Sequence, residues 1–129
     1  MVDCIFCGMA QGKVDFHKIY EDKNSLAFLD IAPTTKGQTL IIPKKHHEYI
    51  FDLDDEEYQK LFLTAKLVAK AMDKALKPIR TCIIVEGFQM PHLHIRLHPC
   101  YKEHLEIQPG EKPSSEDLFA QAEEIRKFL

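Results

Sequence analysis

Apolar and polar positions fall in short blocks along this chain, and the blocks predict strands and helices in turn. Residues 19–21 and 26–31 read as two strands separated by Asp22-Lys23-Asn24-Ser25, a turn-forming cluster. Residues 32–37 (Ala-Pro-Thr-Thr-Lys-Gly) form a loop, and 38–42 make a third strand that ends at Pro43. Three strands joined by such connections predict an antiparallel meander. Ahead of them, residues 4–11 have room for one or two turns of helix.

The clearest helix comes next. Asp54 is placed to cap it, Glu57 to reach back in a capping box, and Leu53 and Tyr58 to act as a hydrophobic staple. Tyr58, Leu61, Phe62, Ala65, Val68, Ala69, Met72 and Leu76 recur at helical spacing and predict a core-facing stripe. Lys74 and Lys77 suit the negative end of the helix dipole, and Pro78 stops the helix. Residues 81–85 are a continuous apolar strand, with Cys82 as a small core residue. A tail rich in Pro and charge at 108–113 leads to a second helix from about Ser115. Leu118, Phe119, Ala122, Ile125 and Leu129 form its apolar face. The sum is an α+β fold: an antiparallel sheet against one long helix, with a further helix at the C-terminus.

The most regular block is Pro91-His92-Leu93-His94-Ile95-Arg96-Leu97-His98-Pro99. His92, His94, Arg96 and His98 share one parity, and Leu93, Ile95 and Leu97 share the other. A period of two predicts a half-buried strand, with nitrogen-bearing side chains about 6.6 Å apart along its open face. Such a row suits an anionic ligand. The plain alternative is a surface strand with a His-rich polar face. Three of the chain's seven His on one face beside an Arg weigh against it.

Length and composition narrow the classes. The chain of 129 residues suits a single domain, here 1–129 with a core at 4–101 and a helical extension at about 114–129. It is 45% hydrophobic and 29% charged, ordinary for a globular protein. A net charge of -3 offers no reason to expect a nucleic-acid or membrane surface. No apolar run approaches the roughly 20 residues of a membrane helix. Met1-Val2-Asp3-Cys4 lacks the basic and apolar regions of a signal peptide, so a cytoplasmic location is expected. In that compartment Cys4-x-x-Cys7 reads as a metal half-site or a redox pair. Its place before Gly8 and Gly12, with no preceding strand, argues against the redox reading.

His92-Leu93-His94-Ile95 followed by Leu97 resembles the motif of the histidine triad (HIT) family, His-φ-His-φ-His-φ-φ with φ apolar. The third His of the pattern is Arg96 here. The resemblance runs from Cys4 to about Pro99. It takes in Cys4-Ile5-Phe6-Cys7, Tyr20-Glu21-Asp22, Ala27-Phe28-Leu29-Asp30-Ile31-Ala32-Pro33, the stretch from Gly37 to His46, and Phe51-Asp52-Leu53. It implies the HIT-like fold and a homodimer with the long helix and a strand at the interface. It also implies a nucleotide hydrolase or transferase, in which His94 attacks an α-phosphate and a covalent nucleotidyl-histidine forms. The purine nucleotide or its conjugate would bind through Phe6, Met9, Phe28 and Ile31 at the base and Asp30 at the ribose. The phosphate would lie on Gln89, His92 and Arg96.

A structural zinc on Cys4, Cys7, His46 and His92 is implied as well, with His47 an alternative to His46, and no catalytic metal is required. The loop at 86–91 is shorter than in many members and leaves the leaving-group contacts open. Arg96 is expected to clamp phosphate without acting as an acid or base, because a guanidinium keeps its charge. His98, about 6.6 Å further along the strand, is expected to lie beyond the phosphate and to be dispensable. Two other readings stay open: a nucleotide-binding module with little or no turnover, because Arg96 replaces the third His, and a small zinc protein acting through a partner surface.

Overall fold

The structure is a computed structural model that describes residues 4–105, 107–108 and 111–129. The chain start at 1–3 and part of the 108–113 tail lie outside the described residues. Turn chemistry shapes the first half. Asp22 Oδ1 accepts from the backbone N–H groups of Asn24 and Ser25 at 2.8 and 2.7 Å, a local side-chain turn. It joins β1 (Lys18–Glu21) to β2 (Ser25–Leu29). β2 then pairs antiparallel with β3 (Thr39–Pro43), Ser25 opposite Pro43 and Leu29 opposite Thr39. The expected second strand is shorter than its apolar run, because Asp30 Oδ1 accepts from the Ala32 N–H at 2.9 Å and bends the chain.

A 3-10 turn at Ile50–Asp52 leads to α2 (Asp55–Leu76). Asp54 Oδ1 caps it by accepting from the Glu57 N–H at 2.8 Å. The Glu57 carboxylate itself turns to His47 Nε2, at 2.8 Å. At the other end Lys77 takes a left-handed conformation, φ 52°, and donates its N–H to Asp73 O before Pro78. α2 carries the chain across to β4 (Arg80–Ile84), and β5 (Ile95–Cys100) returns between β3 and β4. The strand order is therefore β1-β2-β3-β5-β4, and the meander covers only the first three strands. The C-terminal helix α3 (Ser115–Arg126) begins on Ser114, whose hydroxyl accepts from the Asp117 N–H.

Both faces of the sheet are covered. On one, Leu61, Ala65, Val68 and Met72 of α2 and Leu118, Ala122 and Ile125 of α3 pack on Ala27, Leu29, Ile41, Leu93, Ile95 and Leu97. On the other, Phe6 of the short helix α1 (Ile5–Ala10) packs with Leu26, Phe28, Leu40 and Ile42. This second cover corrects the expectation of a half-buried His strand. His92 and His98 are fully buried and His94 nearly so, and β5 begins only at Ile95. The apolar face of α3 is narrower than its sequence suggests. Leu118, Ala122 and Ile125 recur at i, i+4 and i+7 and are buried, whereas Phe119 lies off that line and Leu129 lies beyond the helix end at Arg126, and both are exposed. Cys82 is half-buried, not core, because β4 is an edge strand. Among the described residues no helix is long and apolar enough to cross a membrane.

Gly37 ties the loop before β3 to α2. Its φ is +82°, and a Cβ there would collide with the Leu76 side chain. Gly37→Ala is expected to destabilise the fold by about 1–2 kcal/mol, chiefly through the left-handed backbone. Chemical denaturation measures the loss, and adding Leu76→Ala should not restore it.

Candidate functional site

α1 presents two thiols on one turn. Cys4 is its N-cap, with Sγ accepting from the Cys7 N–H at 3.3 Å, so Cys4 and Cys7 are held side by side. The segment after β3 brings His46, and the segment before β5 brings His92. The His92 ring donates from Nε2 to the Pro43 carbonyl, 3.0 Å away. That bond fixes the tautomer and leaves a lone pair on Nδ1. Nδ1 lies 3.3 Å from Cys4 Sγ, 3.4 Å from Cys7 Sγ and 3.2 Å from His46 Nδ1. Cys7 Sγ lies 3.2 Å from His46 Nδ1. The four ligand atoms fall within 4.8 Å of one another. Two thiols and two imidazoles at that spacing fit one tetrahedral zinc ion. His47 is not among them; its ring is held by Glu57. Burial keeps the His92 imidazole below its ordinary pKa, with His46 adding to the effect. Burial, with Cys4 alongside, pushes the Cys7 thiol up.

His94 follows two residues later. Its Nδ1 is 2.8 Å from the His92 backbone oxygen. A carbonyl can only accept, so Nδ1 carries the proton and Nε2 carries the free lone pair. The Phe6 ring lies edge-on to both imidazoles, with centroids 5.7 Å from His92 and 5.3 Å from His94. Phe6 therefore packs against the metal-ligand cluster and the triad at once, and Phe28 lies 5.6 Å behind it.

The other expected site residues divide. Phe6, Met9 and Phe28 meet in the smaller apolar cluster, joined by Phe16 and Met90. Ile31 stays outside it, 54% exposed on the bend after β2. Gln89 is exposed in the loop before His92. Arg96 is half-buried, with Nη1 3.5 Å from Glu86 Oε1. A cavity of about 700 Å³ between β1 and α3 is lined by Phe16, Ile19, Phe119 and Arg126 and includes none of the triad positions.

One connection, from Asp30 to His98 through Thr34 and Gln38, was invisible in the sequence. Asp30 Oδ2 accepts from Gln38 Nε2 at 2.9 Å, while Oδ1 accepts from Ala32 N–H. Gln38 Oε1 accepts from the Thr34 hydroxyl at 2.7 Å and the Thr34 N–H at 2.9 Å. Thr34 Oγ1 in turn meets His98 Nδ1 at 3.2 Å. No local signal marks Thr34 or Gln38, since the link to His98 spans 64 residues. With the Thr34 proton given to Gln38, His98 Nδ1 must be the donor, so Nε2 bears a lone pair. Nε2 is buried without a partner. Burial, and then the Arg96 charge, hold His98 down at about 4.

Comparison with known proteins follows the same lines. The HIT domain pattern matches residues 11–103. The protein Hit of Bacillus subtilis is 36% identical over 104 residues, spanning 77% of this chain and 72% of that one. An adenosine 5'-monophosphoramidase of Saccharomyces cerevisiae is 35% identical over 133 residues, spanning 98% of this chain and 80% of that one. The crystal structure of a Hit-like protein involved in cell-cycle regulation from Bartonella henselae superposes with a TM-score of 0.88 at 27% identity. It covers 98% of this chain and 96% of that one.

The depressed His98 makes a pH signature. From 6.5 down to about 4 the unfolded chain binds a proton at this residue that the folded chain does not. Unfolding free energy therefore falls as pH drops through that window, and His98 contributes no slope above it. The loss is expected to reach at most about 3 kcal/mol at the acid end. Denaturation at pH 7 and pH 5 should show a smaller difference between the two pH values for His98→Leu than for the unmodified chain.

Proposed function

Because this chain belongs to the HIT domain family, we propose that it cleaves a nucleotide conjugate at the α-phosphate through a nucleotide bound covalently to His94. The observation that carries this reading is the 2.8 Å bond from His94 Nδ1 to the His92 carbonyl. In the neutral ring it leaves the lone pair on Nε2, the nucleophilic atom, in a nearly buried setting. The Nε2 lone pair forms a bond to the α-phosphorus, and the bond to the leaving group breaks. The leaving group takes its proton from solvent at the open loop that carries Gln89. Water then attacks the phosphorus, the P–N bond breaks, and a nucleoside monophosphate leaves. The 35% identity to an adenosine 5'-monophosphoramidase favours phosphoramidates among the possible conjugates.

The remaining roles follow from chemistry. Asp30 keeps one internal hydrogen bond on each carboxylate oxygen. Each oxygen therefore retains accepting capacity for a ribose hydroxyl. Phe6, Met9, Phe28 and Ile31 offer the apolar surface for the base. Arg96 offers a forked, permanently charged donor to phosphate oxygens, which would take the place of Glu86 beside it. Catalysis of phosphoryl transfer rests on such placement and charge stabilisation. Leu63 and Leu67 of α2 and Ile79 and Ile83 beside and on edge strand β4 are exposed. A second copy of the chain against that edge would cover them and pair the open strand. A second reading is a nucleotide-binding module with little turnover. It is favoured by Arg96, which supplies no proton near neutrality.

Replacing His94 with Ala should abolish monophosphate release from adenosine phosphoramidates, yet keep affinity for the nucleotide within about tenfold, because the nucleophile adds little ground-state binding. Product formation at the unmodified rate in that variant would remove His94 from the reaction. Nucleotide binding without product in the unmodified chain would select the binding-module reading.

Cys4, Cys7, His46 and His92 would hold the zinc, which joins α1 to the triad segment and takes no part in bond breaking. Elemental analysis should find about one zinc per chain, the number a closed Cys2His2 set holds. Cys4→Ser should lower metal content and melting temperature together, since metal binding is part of the folding free energy. Equal melting temperatures with and without zinc would overturn the structural role.

A further inference from the structure

His98 lies outside the three positions of the triad and is buried, on the same side of the sheet as Arg96, yet it does not meet solvent or the metal-ligand cluster. Its partner is Thr34, in the loop that follows Asp30. Four polar side chains run in one line: His98 Nδ1–H to Thr34 Oγ1, Thr34 O–H to Gln38 Oε1, and Gln38 Nε2–H to Asp30 Oδ2. Each donor in this line is assigned by what its partner can accept, so the line has one direction and ends on the carboxylate. His98 is fully buried and Gln38 is 1% exposed.

A space-filling role alone does not explain an imidazole here. A leucine would fill similar volume, whereas the imidazole leaves Nε2 buried with no donor, an unfavourable state for a polar atom. What the imidazole adds is the Nδ1–H. We infer that His98 is a positioning residue for ribose. It holds Thr34 and Gln38 so that the Asp30 carboxylate presents one accepting site on each oxygen to the two adjacent ribose hydroxyls. Without that donor the Thr34 hydroxyl is fixed only by its bond to Gln38, and that bond, one of three that orient the Gln38 amide beside those from the Thr34 N–H and to Asp30, is loosened. Asp30 then keeps its charge and loses its fixed direction. The inference rests on the proposed role of Asp30 in nucleotide binding. It departs from the expectation, drawn from strand spacing alone, that His98 is dispensable.

The test is calorimetric titration of the full chain, zinc included, with adenosine monophosphate and with its 2',3'-dideoxy analogue. The unmodified chain should prefer the ribonucleotide, and Asp30→Asn should remove most of that preference. His98→Leu and Thr34→Val should each weaken ribonucleotide binding by about three- to tenfold, the effect of one hydrogen bond. Neither should alter dideoxy binding, because that ligand has no hydroxyl for Asp30 to direct. His98→Asn, with an amide N–H close to the place of Nδ1–H, should restore the preference. A structural defect would weaken both ligands alike, and that result overturns the inference. If Asp30→Asn loses the preference while His98→Leu and Thr34→Val keep it, the relay is wrong and the Asp30 role stands. If the unmodified chain has no preference, or binds neither ligand, the Asp30 role fails and the inference with it. Circular dichroism checks folding, and if His98→Leu is unfolded, Thr34→Val decides.

Discussion

The hold on His92 is the constraint from which the arrangement of His94 and the thiol cluster follows. Its Nε2–H is committed to the Pro43 carbonyl, so its Nδ1 faces the two thiols and His46 as a lone pair. Its own carbonyl accepts from His94 Nδ1 and so leaves the lone pair of that ring on Nε2. One residue thus sets the tautomer of two imidazoles, its own through the ring and that of His94 through the backbone. The Pro43 carbonyl comes from the end of β3, which couples the site to the central strands of the sheet.

The short helix α1 completes that arrangement from the far side of the sheet. A helix of 6 residues has little stability of its own. Here it is held by Phe6, which packs against Phe28, His92 and His94, and by the two thiols turned to His46 and His92. The same ring that buries the helix also packs against His94. Packing and site geometry are therefore one set of contacts at this end, and a change in α1 reaches His94 both through the Phe6 ring and through His92.

At the other end of β5 the polar line from His98 to Asp30 does comparable work with hydrogen bonds. The second sheet face changes character along this segment, from apolar and thiol-lined at His92 to polar and directional at His98. Arg96 stands between the two regions, half-buried and paired with Glu86.

Much of this was legible locally. Asp54 as a cap, the α2 stripe through Leu61, Ala65, Val68 and Met72, the turn at Asp22, and the alternation around His94 each depend on residues a few positions apart, and local periodicity and capping are written at that range. The motif order carried the family resemblance and, with it, the grouping of Cys4, Cys7, His46 and His92. Tertiary structure decided what depends on distant packing. Alternation of polar and apolar residues states that a strand has two faces, but not that a second layer covers both, and so His92 and His98 are buried where an open face was expected. Which of His46 and His47 lies beside the thiols depends on Glu57 of α2, which holds the His47 ring. The line through Thr34, Gln38 and His98 joins segments 64 residues apart. Hydrogen bonds of that kind depend on direction in space, which the sequence encodes only through the whole fold.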